Sequence, residues 1–166
     1  MPLTAILERL EASSWATFIH DRAWAFTAVE VVHVFAASLL LGTIVIVDLR
    51  LLGRAASHRP VTDVAGSLLP FTWTAFVIAA AAGALLFMSR ATAYAASPAF
   101  WSKMVLIVLA GINMAVFEFI TVRGVARWNT DAAPPPAARL AGALSISCWV
   151  LVICFGRLIA FTLETD

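Results

Sequence analysis

The sequence predicts an all-α protein: an integral membrane four-helix bundle preceded by a short amphipathic interfacial helix. Three observations carry that expectation. The 166 residues are 62% hydrophobic and only 13% charged, with a mean hydropathy of +0.94, whereas a soluble domain is usually about 45–50% apolar and about 25% charged. Four apolar segments, 23–47, 68–88, 101–121 and 140–161, each come close to the ~20 residues that cross a ~30 Å hydrocarbon core. Strands of that length would leave backbone groups unpaired in lipid, so the segments are helices.

The elements follow in chain order. Residues 1–22 form an N-terminal segment in which Leu3, Ile6, Leu7 and Leu10 recur at helical spacing beside Glu8, Arg9 and Glu11. That pattern describes a helix lying on the membrane surface. The acidic residues do not suit the basic start of a cleavable signal. Residues 23–166 form the four-helix domain. Its first helix covers Ala23 to Val47 and its second Leu68 to Met88, with Pro70 near the start. Ser97-Pro98 is a cap and first-turn pair for the third, Trp101 to Thr121. The linker Asn129 to Ala138, with Pro134-Pro135-Pro136, is expected to be non-helical and to separate the third helix from the fourth, Leu140 to Phe161.

Charge and small residues add orientation and packing. The net charge of +1 supplies no basic field for nucleic acid. Arg50, Arg54, Arg59, Arg123, Arg127 and Arg139 fall in two loops, against Arg9, Arg22, Arg90 and Lys103 on the other side. That balance places those loops in the cytoplasm and both termini in the periplasm. Trp15, Trp24, Trp101 and Trp128 sit near helix ends as interfacial anchors, while Trp73 and Trp149 lie deeper as packing residues. Ala36, Ala37 and Gly42, then Ala79 and Gly83, then Gly111 and Ala115 are the expected small-residue contact faces. Cys148 and Cys154 lie roughly 240° apart on one helix and are not expected to bridge.

Function is sought in polar groups within the spans, because they are expensive there. Glu30 and His33, three residues apart, share a helix face. Such a carboxylate–imidazole pair binds a metal or haem, relays protons, or fixes packing. Arg157 falls near the depth of Glu30 and is a candidate ion-pair partner; otherwise it snorkels to the interface. Glu118 is a second buried acid, roughly 11 Å along the axis from His33. Asn113 lies near the midplane and suits a hydrogen bond between helices or subunits. Neither His20 nor His58 shares a depth with His33, which disfavours a bis-histidine haem within one chain. Met114 is the methionine nearest in depth to His33 and its candidate axial partner. His20, Met88 and Met104 form a weaker candidate for a soft copper(I) site. No HExxH, CxxC, phosphate loop or nucleophile elbow is present.

The stretch AWAFTAVEVVHVFAASLLLGTIVIVDLRLLG, with PAFWSKMVLIVLAGINMAVFE and GRLIAF, resembles a family of small uncharacterised four-helix proteins of the bacterial inner membrane. The motif residues are Glu30, His33, Asp48-Leu49-Arg50, Lys103, Asn113 and Gly156-Arg157. The layout is distantly similar to CopD-type copper-resistance proteins and cytochrome b-type bundles. The resemblance implies a place in the bacterial inner membrane and a redox or metal role. It also implies a histidine where this chain has Glu118, which counts against haem in this chain. Three readings remain. One is a haem b- or copper-binding protein centred on His33, with Glu30 beside it and an electron-transfer or metal-handling role. The second is a structural or accessory subunit of a larger membrane complex. The third is a small proton-coupled transporter, as a homo-oligomer. A cofactor-free protein is nearly as well supported as a loaded one, and no catalytic residue is assigned.

Overall fold

The computed structural model describes residues 3–55, 58–117, 125, 128–129 and 133–164. The chain folds as α1 (Leu3–Glu11), α2 (Ser14–His20), α3 (Ala23–Leu51), α4 (Val61–Ser89), α5 (Ala91–Ala96), α6 (Pro98–Val116) and α7 (Pro136–Glu164), with no strand among the described residues. Helices α3, α4, α6 and α7 are each long and apolar enough to cross a membrane. Phe35 and Val108 are 74% and 60% exposed, outer surfaces that suit lipid rather than water. The chain is a multi-pass membrane protein.

The spans are longer than hydropathy alone predicts. At 29 residues, α3, α4 and α7 each reach about 43 Å, beyond a ~30 Å core. Their polar ends therefore continue the helix outside the apolar band. Pro70 consequently lies inside α4 rather than near its start. It has no N–H for the Gly66 carbonyl, and Thr74 Oγ1 donates to the Pro70 carbonyl at 2.8 Å. The expected proline linker is also shorter. Helix α7 begins at Pro136, where a fixed φ and a missing N–H cost nothing.

The helices pack in the order α4–α3–α7–α6. Helices α4 and α6 share no extensive backbone contact among the described residues and meet through their side chains at one end. Ala36 of α3 meets α4 through its buried Ala75, Ala79 and Ala82, and Thr72 Oγ1 donates to Thr43 Oγ1 at 2.9 Å across that contact. Asn113 Nδ2 donates to the Ala141 carbonyl at 2.9 Å and joins α6 to α7.

The two ends of the bundle differ. At one, Phe87 of α4 stacks on Phe100 of α6 at 5.2 Å, and Tyr94 of α5 lies 6.1 Å and 5.8 Å from those rings. Helix α1 packs on α5, and α2 docks on α4 through buried Ala16 and Ile19. Glu11 Oε1 accepts from Thr92 N at 2.8 Å and from Thr92 Oγ1 at 2.7 Å. Leu3, Ile6, Trp15, Phe18 and Trp24 stay exposed, an outward apolar side suited to the membrane interface.

At the other end, Arg50 is 1% exposed and far from a loop cation. Its Nε donates to the Arg59 carbonyl and its Nη2 to the Asn129 carbonyl, each at 3.0 Å. Asn129 also receives the Val61 N–H on its carbonyl and the Thr62 N–H on Oδ1. Gly53 turns the chain at φ +71 against Pro134. Buried Asp48 accepts from the Ser145 hydroxyl on one side only, leaving Oδ2 without a hydrogen bond. Trp128 is buried with Leu51, Val61 and Ala138, so it is core and not an interfacial anchor. Trp73 conversely is 51% exposed and meets Phe76 edge-on at 6.0 Å.

Candidate functional site

The polar residues near the α5 end converge from three helices, α3, α5 and α6. His33 of α3 projects toward α4, where its Nδ1 lies 2.8 Å from the Ala79 carbonyl. A carbonyl only accepts, so Nδ1 carries a proton, and in the neutral imidazole Nε2 keeps its lone pair. The ring stands directly over Gly83, where a Cβ would meet Cε1 at 3.0 Å and Nδ1 at 3.3 Å. The Ala79 and Gly83 face predicted for helix contact is therefore used, with an imidazole filling part of the gap. No other hydrogen bond reaches His33 among the described residues.

Lys103 enters from α6, in its second turn. Its Nζ lies 3.5 Å from where a Cβ at Gly156 of α7 would stand. The charges of both Lys103 and Glu30 act on His33, so the three groups form one electrostatic neighbourhood. Glu30 also acts on Tyr94, whose phenol is pushed above its ordinary range, chiefly by burial. That phenol stays protonated at the mouth of the site. Gly83 gives the imidazole its room, and the ammonium lies beside Gly156.

The other sequence-predicted residues lie elsewhere. Glu30 and Arg157 are both exposed, and no ion pair joins them among the described residues. Arg157 lines a shallow surface groove with Ile153, Cys154, Leu158 and Phe161. The Phe87–Phe100 stack sets the register of α4 and α6. Met114 lies fourteen residues beyond Phe100, about 21 Å along the helix, while Gly83 is only one turn from Phe87. Met114 is thus roughly 15 Å from the level of His33 by register. Asn113 is engaged with Ala141, near the Arg50 end. Glu118 lies outside the described residues. His20 closes α2 on the exposed surface, Met88 lies in the last turn of α4, and Met104 follows Lys103. No group of three His, Cys, Asp or Glu side chains is placed to hold an ion among the described residues. Cys148 and Cys154 are free.

Lys103 and Tyr94 were not expected in the site. Lys103 was counted among the cations of the outer side, although it lay two residues inside the expected third span. Tyr94 sits in an alanine-rich connection and carries no motif.

A family described as one of unknown function, DUF6644, matches residues 15–162. No curated protein and no solved structure matches the chain.

Proposed function

The chain belongs to the DUF6644 family, and on that premise we propose that it holds a metal-centred cofactor on His33, haem b in preference to copper. The role is electron transfer or metal handling within the membrane. The observation that supports this reading is the hold on His33: Nδ1 donates to the Ala79 carbonyl at 2.8 Å, leaving Nε2 free to ligate. Ligating histidines are commonly oriented by such a bond, which fixes the tautomer and raises ligand basicity. Glu30, one turn away, adds a negative charge that acts on the ring.

The donor set favours haem over a bare ion. A porphyrin brings four nitrogens of its own, so one imidazole suffices as the protein ligand. Copper(I) needs two or three soft side chains at one point, and His33 has no such companions by register. Bound haem would supply one-electron chemistry. His33 would orient it, and Glu30 would tune the imidazole.

The test is a visible spectrum of protein purified in mild detergent, oxidised and then dithionite-reduced, with metal analysis of the same sample. A Soret band with sharp reduced bands, lost in His33→Leu, is the expected result. A folded, colourless, metal-free protein that takes up neither haem nor copper overturns it.

Glu30 supports a second reading, as a homo-oligomer or a subunit of a larger membrane complex. It is an exposed acid on a spanning helix with no ion pair among the described residues. A neighbouring chain would supply the cation. Detergent-corrected mass measurement tests this, with Glu30→Gln expected to lower the mass to that of the single chain.

A further inference from the structure

Asp48 is a buried acid that ligation at His33 does not use. It lies fifteen residues past His33, about 22 Å along α3 and three residues from the end of that helix. Only 5% of the residue is exposed. A carboxylate offers about four acceptor sites. The Ser145 hydroxyl of α7 is the one side-chain donor to it among the described residues, and Oδ2 is buried with no hydrogen bond.

No positive charge answers it either. Arg50 is two residues on, and residues so spaced do not face each other on a helix. Its guanidinium is committed to the Arg59 and Asn129 carbonyls. Arg54, His58 and Arg59 in the loop after α3, Asp63 on α4 and Arg139 on α7 are all exposed, and no charge acts on Asp48 among the described residues. The Cys148 thiol stands about one turn past Ser145 on α7, and α6 carries only Lys103, at its far end. Glu118, Arg123, Arg127 and Asp131 lie outside the described residues.

A metal cation or a proton could meet the unpartnered oxygen, and packing separates the two. Gly142 of α7 comes so close that a Cβ there would stand 2.9 Å from the Asp48 carbonyl oxygen and 3.2 Å from the Leu51 Cβ. A hard cation needs a shell of about six oxygens, and Asp48 belongs to no cluster of ligating side chains among the described residues. A proton needs no room. A buried neutral carboxyl also costs far less than a lone buried carboxylate.

We propose that Asp48 is a proton-binding site: it holds its proton between α3 and α7 at neutral pH, and release of that proton loosens their contact at the Arg50 end. The proton leaves an oxygen of Asp48 for water, and the electron pair stays on the carboxylate. The unpaired charge then stands against the Gly142 backbone, and the helices must part to let water reach it. The site does not depend on ligation at His33.

The experiment compares infrared spectra of the full chain in detergent at neutral pH with those of Asp48→Asn, which copies the shape of the neutral acid. The wild type is expected to show the C=O band of a protonated carboxyl, shifted in D2O. Asp48→Asn is expected to lose that band, and Glu30→Gln and Glu118→Gln to keep it. Melting across pH gives a second readout. A folded state that holds a proton the unfolded chain has lost becomes less stable as pH rises. From acidic to alkaline pH, the melting temperature of the wild type is expected to fall by about 3 °C or more beyond any fall in Asp48→Asn, the scale of one pKa unit in a chain of this size. Sodium, potassium and magnesium chlorides are expected to act alike on wild type and variant. A folded wild type with no protonated-carboxyl band at neutral pH overturns the proposal, even if Asp48→Asn does not fold. Equal pH slopes in the two proteins, or stabilisation by one of the cations that Asp48→Asn loses, overturn it as well.

Discussion

The imidazole of His33 rests on the backbone of Gly83, with Nδ1 donated to the carbonyl one turn away at Ala79. A methyl group at Gly83 would lie 3.0 Å from Cε1.

Gly83→Ala is therefore expected to destabilise the protein, although alanine normally improves a helix by up to ~1 kcal/mol. Displacing the ring and its hydrogen bond should cost about 1–3 kcal/mol. Thermal unfolding in detergent measures this. A variant as stable as the wild type would mean that the ring moves aside freely.

Arg50 makes a second case. Arg50→Leu strands the Arg59 carbonyl, at about 1–3 kcal/mol for an unmet group, while the Asn129 carbonyl keeps the Val61 N–H. Arg50→Lys should recover little, because a single ammonium cannot copy the planar fork that reaches both carbonyls. Comparing the melting temperatures of the two variants decides the point; full recovery in Arg50→Lys would show that charge matters there and not geometry.

Two glycines should respond oppositely. A Cβ at Gly142 would stand 2.9 Å from the Asp48 carbonyl oxygen, which is backbone and cannot swing away, whereas one at Gly111 meets nothing within 4 Å. Gly142→Ala should lose about 1–3 kcal/mol by forcing α3 and α7 apart. Gly111→Ala should be neutral or gain up to ~1 kcal/mol. Parallel melts of the pair provide the check.

The absence of an ion pair between Glu30 and Arg157 makes a fourth prediction. Glu30→Gln and Arg157→Leu should act independently, with a coupling energy within about 0.5 kcal/mol in a double-mutant cycle. A larger coupling would restore the pairing expected from their matching depths.

The sequence showed some of this and hid the rest for physical reasons. Glu30 and His33 were legible as a pair because helical period alone puts them on one face. Ala79 and Gly83 were legible because small residues recur where helices touch. Gly111 and Ala115 were expected to make the same contact, yet both are exposed, and Gly142 and Gly156 pack instead. A span that is apolar all round has no polar stripe to tell which side faces a neighbour. Arg50 looked like one more loop arginine because its acceptor at Asn129 is 79 residues away. Lys103 was counted for orientation alone, because a cation in the first turn of a span reads as an interfacial charge.

The bond between Glu11 and Thr92 joins residues 81 positions apart. During synthesis the N-terminal helices emerge before α3, α4 and α5 exist. Their final partner is missing until two spans have been inserted. Until then their exposed leucine, isoleucine and tryptophan side chains can be sheltered only by the bilayer surface. The amphipathic start of the chain thus serves as a holding position in time. Its docking on α5 marks the moment when the first half of the protein is complete.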